Sequence, residues 1–197
     1  MSTRPDPRPL VGEPLPLDLL NTRWSDDDGA YDLFDQPGGL RIWLSSVGLA
    51  GQVPESEESL AALRSTRDAL LAAVRPSHPD PALARELLNA TLSHGRVRRE
   101  LGADGPVSIV ETDIPAWEAS WRAAEAYLRL LEQKPERIRK CANPECPLRF
   151  YDLSKAGARR WCSMTSCGNR SKARRHYARK HPGATTDEAS ERPRIGD

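Results

Sequence analysis

Apolar positions recur at helical spacing in three stretches of this sequence. The first covers residues 57–75, where Ser56 is a suitable N-cap. The second starts at Asp80 as cap with Pro81 in its first turn, and the third covers residues 113–133. The pattern predicts three amphipathic helices with apolar stripes in the core. The expected core positions are Leu60, Leu63, Leu70, Leu71 and Val74, then Leu83, Leu87, Leu88 and Leu92, then Trp117, Trp121, Ala124, Leu128 and Leu131.

Shorter patterns complete the body of the protein. Residues 38–49 are typical of a further helix, and residues 15–24 form a short apolar segment that should enter the core. Residues 96–101 and 106–111 flank an Ala-Asp-Gly turn, which predicts a small hairpin. The fold class expected from these patterns is mainly α with a small β component.

Composition predicts a folded protein outside membranes. Hydrophobic residues make up 38% of the chain and charged residues 29%, and no apolar run approaches the ~20 residues that a bilayer span requires. Arginines and prolines interrupt the N-terminal stretch where a secretory signal would need a continuous apolar run. We therefore expect a cytoplasmic location.

The net charge of +1 conceals a strong asymmetry. Residues 137–181 contain 13 lysines and arginines against two acids, a net charge of +11, so the remainder of the chain carries −10. Such a division indicates a module that binds polyanions, attached to an acidic body that phosphates would repel.

All four cysteines lie in the basic segment. The spacing is Cys141-x4-Cys146, fifteen residues, then Cys162-x4-Cys167. Two closely spaced pairs can supply the tetrahedral thiolate shell that Zn²⁺ favours, which predicts one structural zinc ion. Disulfides and buried free thiols are the alternatives. A reducing compartment disfavours disulfides, and a module this small needs a metal or a cross-link to fold.

The residues around the cysteines predict the shape of this module. Phe150, Tyr151 and Trp161 flank a turn-like stretch at residues 154–157, so the spacer is expected to form a hairpin with aromatic packing over the metal. Residues 168–180 contain good helix formers and no proline, which places the last ligand at a helix N-terminus. Knuckle, hairpin and helix together indicate a C-terminal treble-clef-like zinc finger after a helical N-terminal domain.

Four stretches of this segment resemble the CGNR zinc finger: CANPEC at residues 141–146, FYDLS at 150–154, RWCSM at 160–164 and CGNRSK at 167–172. GEPL at residues 12–15 and LDLLNT at 17–22 are similar to the opening of the ABATE domain, which commonly precedes this finger. The resemblance implies a stress-induced transcription regulator. The expected division is a flexible N-terminus (1–11), a helical ABATE-like domain (12–135), the finger with its basic helix (136–181) and a disordered tail (182–197).

The basic helix is the candidate nucleic-acid surface. Its cations have almost no local acids to pair with, so phosphates would relieve their mutual repulsion, although a solvated helix face is the simpler alternative. DNA is the expected partner, and RNA or an acidic protein is the alternative. The candidate contact residues are Arg159, Arg160, Arg170, Lys172, Arg174, Arg175, Arg179 and Lys180.

The helical domain has its own candidate roles. Asp18, Asn21 and Thr22 are candidates for lining a pocket for a small-molecule effector, but such residues more often cap or turn the chain. The leucine stripes are expected to form core first and a homodimer surface second. No enzymatic activity is expected, because four thiolates close the zinc shell and leave no position for an activated water. Oxidation of the thiolates offers a further alternative, a redox switch.

Overall fold

Helices dominate this protein. The computed structural model describes residues 5–75 and 79–180, so the tail predicted for residues 182–197 lies outside the described residues. Within those ranges the helices are α1 (Leu15–Leu20), α2 (Gly39–Ser46), α3 (Glu57–Ala73), α4 (Pro81–Ser93), α5 (Glu118–Gln133) and α6 (Asn169–Lys180). None of these helices is long and apolar enough to span a membrane. The predicted mainly α fold is confirmed.

Strands contribute three antiparallel pairs to the described part of the chain. They are β1 (Arg23–Ser25) with β2 (Ala30–Asp32), β3 (Gly95–Gly102) with β4 (Gly105–Thr112), and β5 (Ile138–Lys140) with β6 (Arg149–Tyr151). The β3–β4 pair confirms the predicted hairpin, since its register runs from Gly95 opposite Thr112 to Gly102 opposite Gly105. The positive φ of Gly105 (123°) suits a glycine at the end of the turn.

Helix α3 forms the centre of the helical unit. Its N-cap is the predicted one, because the Ser56 hydroxyl accepts a hydrogen bond from the Ser59 N–H at 3.2 Å. Leu63 and Leu70 have no exposed surface, and the helix packs against α1, α4 and α5. Leu63 and Leu70 of the predicted apolar stripe are therefore core, whereas Leu60, Leu71 and Val74 are half-buried and pack against it.

Helix α1 connects the helical unit to the cysteine-containing segment. It is short and almost fully buried, with Leu17 and Leu19 inaccessible to solvent. It packs on α3 and α5, and it also contacts β6. This position places Asn21, the residue that ends α1, directly beside β6.

Four leucines expected in the core lie on the surface instead. Leu83 and Leu87 of α4 are 47% and 41% exposed, and Leu128 and Leu131 of α5 are each 40% exposed. The buried stripes lie one position away and include small residues, which let neighbouring helices approach closely. These buried residues are Ala84, Leu88 and Thr91 in α4, and Ala119, Ser120, Trp121, Ala123, Ala124, Tyr127 and Leu130 in α5.

Candidate metal centre

The first two cysteines lie in the loop that joins β5 to β6. Cys141 follows β5 directly, and its N–H donates to the Leu148 carbonyl at 2.9 Å. The Cys146 N–H donates to the Asn143 carbonyl at 3.0 Å. These two hydrogen bonds close a tight knuckle with a cysteine on each side.

The second pair lies at the start of α6. Cys162 precedes a π-helical turn (Met164–Gly168) that contains Cys167 and continues into α6. A hydrogen bond from the Ala142 N–H to the Arg160 carbonyl at 2.8 Å holds the segment before Cys162 against the knuckle. The last ligand therefore lies at a helix N-terminus, as the sequence predicts.

The four sulfur atoms are arranged as a zinc shell requires. All four Sγ atoms are buried and lie within 4.8 Å of one another, and Cys146 Sγ is 3.8 Å from Cys162 Sγ. A tetrahedron with Zn–S bonds of ~2.3 Å has edges of about 3.8 Å. None of the four cysteines is in a disulfide, which would need an S–S distance of about 2.05 Å. The residues fit one structural Zn²⁺ ion, and the predicted cofactor is confirmed.

The four sulfurs need a nearby positive charge before they can act as thiolate ligands. A hydrogen bond with the Cys146 thiol, together with burial, raises the pKa of Cys162, and burial raises the pKa of Cys141. Positive charge is needed to stabilise thiolates here, and Zn²⁺ supplies it when bound. Two N–H donors also reach the sulfurs, Cys162 N to Cys141 Sγ at 3.5 Å and Asn143 Nδ2 to Cys167 Sγ at 3.6 Å. Asn143 is thus a buried hydrogen-bond donor to the sulfur of Cys167, a role that the sequence did not reveal.

The spacer between the cysteine pairs folds differently from the prediction. Its strand β6 pairs with β5, which lies before Cys141 in the chain. The hairpin therefore encloses the first cysteine pair instead of lying within the spacer. Asp152 ends the strand, because its carboxylate accepts hydrogen bonds from Ser154 N at 2.9 Å and Arg159 N at 3.0 Å and so turns the chain. Phe150 is fully buried, whereas Trp161 is only half-buried.

A paired hydrogen bond joins the helical unit to the finger. Asn21 Nδ2 donates to the Arg149 carbonyl at 2.9 Å, and the Arg149 N–H donates to Asn21 Oδ1 at 2.9 Å. The side-chain amide therefore satisfies both backbone groups of one β6 residue, as a neighbouring strand would. Asn21 is 1% exposed, so solvent does not compete for these two hydrogen bonds.

Glu13 also joins the helical unit to the finger. Its carboxylate accepts from the Tyr151 N–H at 2.9 Å and from Arg159 Nη1 at 3.1 Å. Arg159 also donates to the Cys162 carbonyl at 2.7 Å, which connects Glu13 to the backbone of a zinc ligand. Glu13 and Tyr151 are 138 residues apart, so no local sequence pattern could reveal this role.

The other two residues predicted to line an effector pocket are also buried and hydrogen-bonded within the protein. Asp18 accepts from Arg8 Nη1 at 2.6 Å, from Gly12 N at 2.8 Å and from Trp43 Nε1 at 3.1 Å. Thr22 accepts from Arg67 Nη1 at 2.7 Å. Arg8 itself, within the segment predicted to be flexible, is buried and anchored by these contacts. The polar atoms serve the packing of α1, and a ligand-binding role for them stays a prediction.

The predicted nucleic-acid residues divide into two groups. Arg159 is held inside the finger, Arg170 forms an ion pair with Asp27 at 3.4 Å, and Arg174 donates to Glu145 at 2.8 Å. The other predicted residues whose side chains are described form no such hydrogen bond or ion pair. This second group consists of the exposed cations Arg160, Lys172, Arg179 and Lys180. Arg175 lies in α6, but its side chain is outside the described part of the structure.

Comparison with protein families agrees with this architecture. Residues 137–180 match the CGNR zinc finger, and residues 13–134 match the ABATE family, described as "putative stress-induced transcription regulator". Curated proteins give no match. The ABATE match covers more than half of the 197 residues, and the two matches follow one another in the predicted order. The chain therefore belongs to the ABATE family and carries a C-terminal CGNR zinc finger.

Proposed function

We propose that this protein is a zinc-dependent transcription regulator whose finger binds DNA through α6. One observation carries the proposal: α6 begins at a turn that contains a zinc ligand, so the metal fixes the direction in which its cations face. The described exposed cations of α6 are Lys172, Arg174, Arg179 and Lys180.

The size and charge of α6 suit duplex DNA. Its 12 residues extend about 18 Å at ~1.5 Å per residue, and a helix ~10–12 Å across fits a major groove ~12 Å wide. Residues 137–180 carry a net charge of +11, so binding would release many counterions from the phosphates. Both features support DNA as the partner.

The set of DNA-contact residues that we propose is smaller than the set of candidates in the sequence. Arg159 donates to the Trp161 and Cys162 carbonyls and stacks over Phe150 at 4.1 Å, so we assign it to positioning within the finger. Arg160 is exposed and lies over Trp161 at 5.2 Å, where it can extend the basic surface of α6. The DNA surface is then α6 together with Arg160.

The helical unit would receive a signal or mediate association. The exposed leucines of α4 and α5 offer apolar surface to a second copy of the chain. The proposal includes a cytoplasmic location, where thiols stay reduced, and no catalytic activity, since four thiolates leave zinc no open position.

Binding of fluorescently labelled nucleic acids to the zinc-loaded chain tests the proposal. We expect duplex DNA selected from genomic fragments to outcompete both random duplex and RNA. The double variant Lys172→Ala and Arg179→Ala should flatten the dependence of log affinity on log salt by about 2 units, at ~0.9 per phosphate contact. Arg129→Ala with Lys134→Ala removes two exposed cations from the end of α5 and serves as the matched control.

Two results would contradict the proposal. If the α6 double variant keeps the affinity and salt slope of the control, α6 is not the contact surface. If RNA outcompetes every duplex, the finger is an RNA-binding module instead.

A further inference from the structure

A cavity of about 390 Å³ opens between the helical unit and the finger. Leu20, Leu71 and residues of β1 and α3 form one wall, and the cysteine knuckle with β6 forms the other. This volume lies within the range of small-molecule sites. Its lining residues include five cations and no acid: Arg23, Arg67, Arg75, Lys140 and Arg149.

Arg149 is the unusual member of this group. It is only 7% exposed, and its backbone is fixed by Asn21, yet its Nε atom is buried without a hydrogen-bond partner. Among the described residues, no hydrogen bond or ion pair engages its guanidinium. Burial and the charge of Arg75 lower the pKa of Arg149. A buried cation without a counter-ion is strongly unfavourable, and an anion in the cavity would relieve it.

The remaining charges of the cavity are only partly balanced. Arg67 and Arg23 both pair with Asp32, at 2.6 and 3.0 Å, although the Nε of Arg67 also lacks a partner. Arg75 is exposed, and Lys140 makes only a 3.5 Å contact to the Pro144 carbonyl. Within the described ranges, the cavity therefore has three cations that no acid pairs: Arg75, Lys140 and Arg149.

We propose that this cavity binds a small organic anion with a dianionic head group of the phosphate class. Arg149 would bind the head group deep in the cavity, and Arg75 and Lys140 would bind it from the exposed side. The volume exceeds that of a bare phosphate, and Leu20, Leu71 and Pro147 offer apolar contacts to the rest of the molecule.

A free anion fits this site better than a phosphate of DNA. Arg149 lines the cavity and is only 7% exposed, so an anion must enter the cavity to reach its guanidinium. A backbone phosphate is attached to a sugar on each side and can approach only the exposed cations. The site is separate from the α6 surface, and the inference does not depend on DNA binding.

Calorimetric and thermal-shift titrations of the full-length, zinc-loaded chain with phenyl phosphate and inorganic phosphate test this inference at constant ionic strength. We expect saturable stabilisation, with phenyl phosphate binding more tightly because its ring contacts the apolar wall. Arg149→Met should weaken binding at least tenfold. It should also leave the ligand-free protein as stable as the parent or more so, because an unpaired buried charge is removed.

Two further variants make the test independent of any folding defect. Arg75→Gln alters an exposed side chain and should weaken binding several-fold, whereas Arg129→Gln, on the exposed face of α5, should change nothing. Phosphate binding that persists in a protein unable to bind DNA would support this inference while the DNA proposal failed.

Three outcomes would overturn the inference. The first is equal stabilisation by sodium chloride at matched ionic strength. The second is unchanged phosphate binding in both Arg149→Met and Arg75→Gln. The third is a loss of duplex affinity in Arg149→Met as large as its loss of phenyl phosphate affinity, which would assign the cavity to a DNA phosphate.

Discussion

The helical unit and the finger are stabilised by different forces. In the helical unit, apolar side chains such as Trp43, Leu63 and Leu70 are fully buried and form an ordinary core. The finger buries four thiols and few large apolar groups, of which Phe150 is the most enclosed. The first unit depends on hydrophobic burial, and the second depends on a metal ion.

The two units are nevertheless packed together and are not independent. Asn21 and Glu13 reach from the helical unit to β6, and the buried apolar residues form one continuous cluster across the joint. A hydrophobic unit therefore supports a metal-dependent one through directed hydrogen bonds. This arrangement fixes the orientation of the finger relative to the helical unit.

Zinc removal should cause the largest loss of stability, and this loss should be confined to the finger. Structural zinc contributes an apparent ~10–16 kcal/mol to small modules, so chelation or Cys162→Ser should unfold the region around the four cysteines. We expect hydrogen exchange, followed by mass spectrometry, to show lost protection in residues 141–180 and retained protection in α3. Equal loss of protection in α3 would mean that the helical unit also depends on the metal.

Disruption of the Asp32 ion pair should destabilise the helical unit without affecting zinc content. Burial acts to raise the pKa of Asp32, but hydrogen bonds from Arg67 and Arg23 outweigh it and lower the pKa below its ordinary value. Asp32→Asn leaves the buried Arg67 charge without its partner and should cost about 3–5 kcal/mol at pH 7.

The pH dependence of this effect gives a second readout. Because the folded state lowers the pKa, the stabilisation is complete above the unfolded pKa of ~3.9 and is lost as the pH falls through the lower folded value. Denaturant unfolding should therefore show a gap between wild type and Asp32→Asn at pH 7 that narrows below about pH 4. A gap that stays constant to pH 2 would contradict this assignment.

Truncation of a core side chain in the helical unit should lower the free energy of unfolding by as much as Asp32→Asn, or by less. Leu70→Ala removes a fully buried side chain of α3 and should cost about 2–5 kcal/mol in the free energy of unfolding. Leu128→Ala, at a 40% exposed position, is the matched control and should cost much less. One zinc per chain should remain in both variants at temperatures where the helical unit is folded.

The smallest predicted loss of stability concerns the hydrogen bonds between Asn21 and β6, where the helical unit meets the finger. Asn21→Ala leaves the N–H and C=O of Arg149 without their side-chain partners and should cost about 1–3 kcal/mol. The exposed amide of Gln52, changed in Gln52→Ala, provides the control. We expect faster exchange of the Arg149 amide proton in Asn21→Ala alone. Unchanged exchange there would show that Asn21 does not hold β6.

Local chemistry made much of the fold predictable. The N-caps Ser56 and Asp80 both accept hydrogen bonds from N–H groups three residues later, as expected of caps at the starts of α3 and α4. Likewise, the spacing of the cysteines fits the sulfur cluster, because each pair closes its own short turn. These features depend on residues that are neighbours in the sequence.

Long-range geometry was not predictable in the same way. Leu83 and Leu131 fit a helical stripe, but close packing of small residues such as Ala84 and Ala123 rotated the buried faces away from them. The pairing of β6 with β5 could not be distinguished from a hairpin within the spacer. Contacts of Glu13 and Asn21 with β6, and the cationic cavity beside them, arise only when distant segments meet.

Zinc K-edge X-ray absorption on the purified full-length chain, combined with elemental analysis, tests most directly whether four thiolates hold the finger together. We predict one zinc per chain, with four sulfur neighbours at about 2.3 Å and no nitrogen or oxygen ligand. A chain that contains no transition metal, a shell that mixes sulfur with nitrogen or oxygen, or sulfurs found in disulfides would contradict the metal-dependent finger.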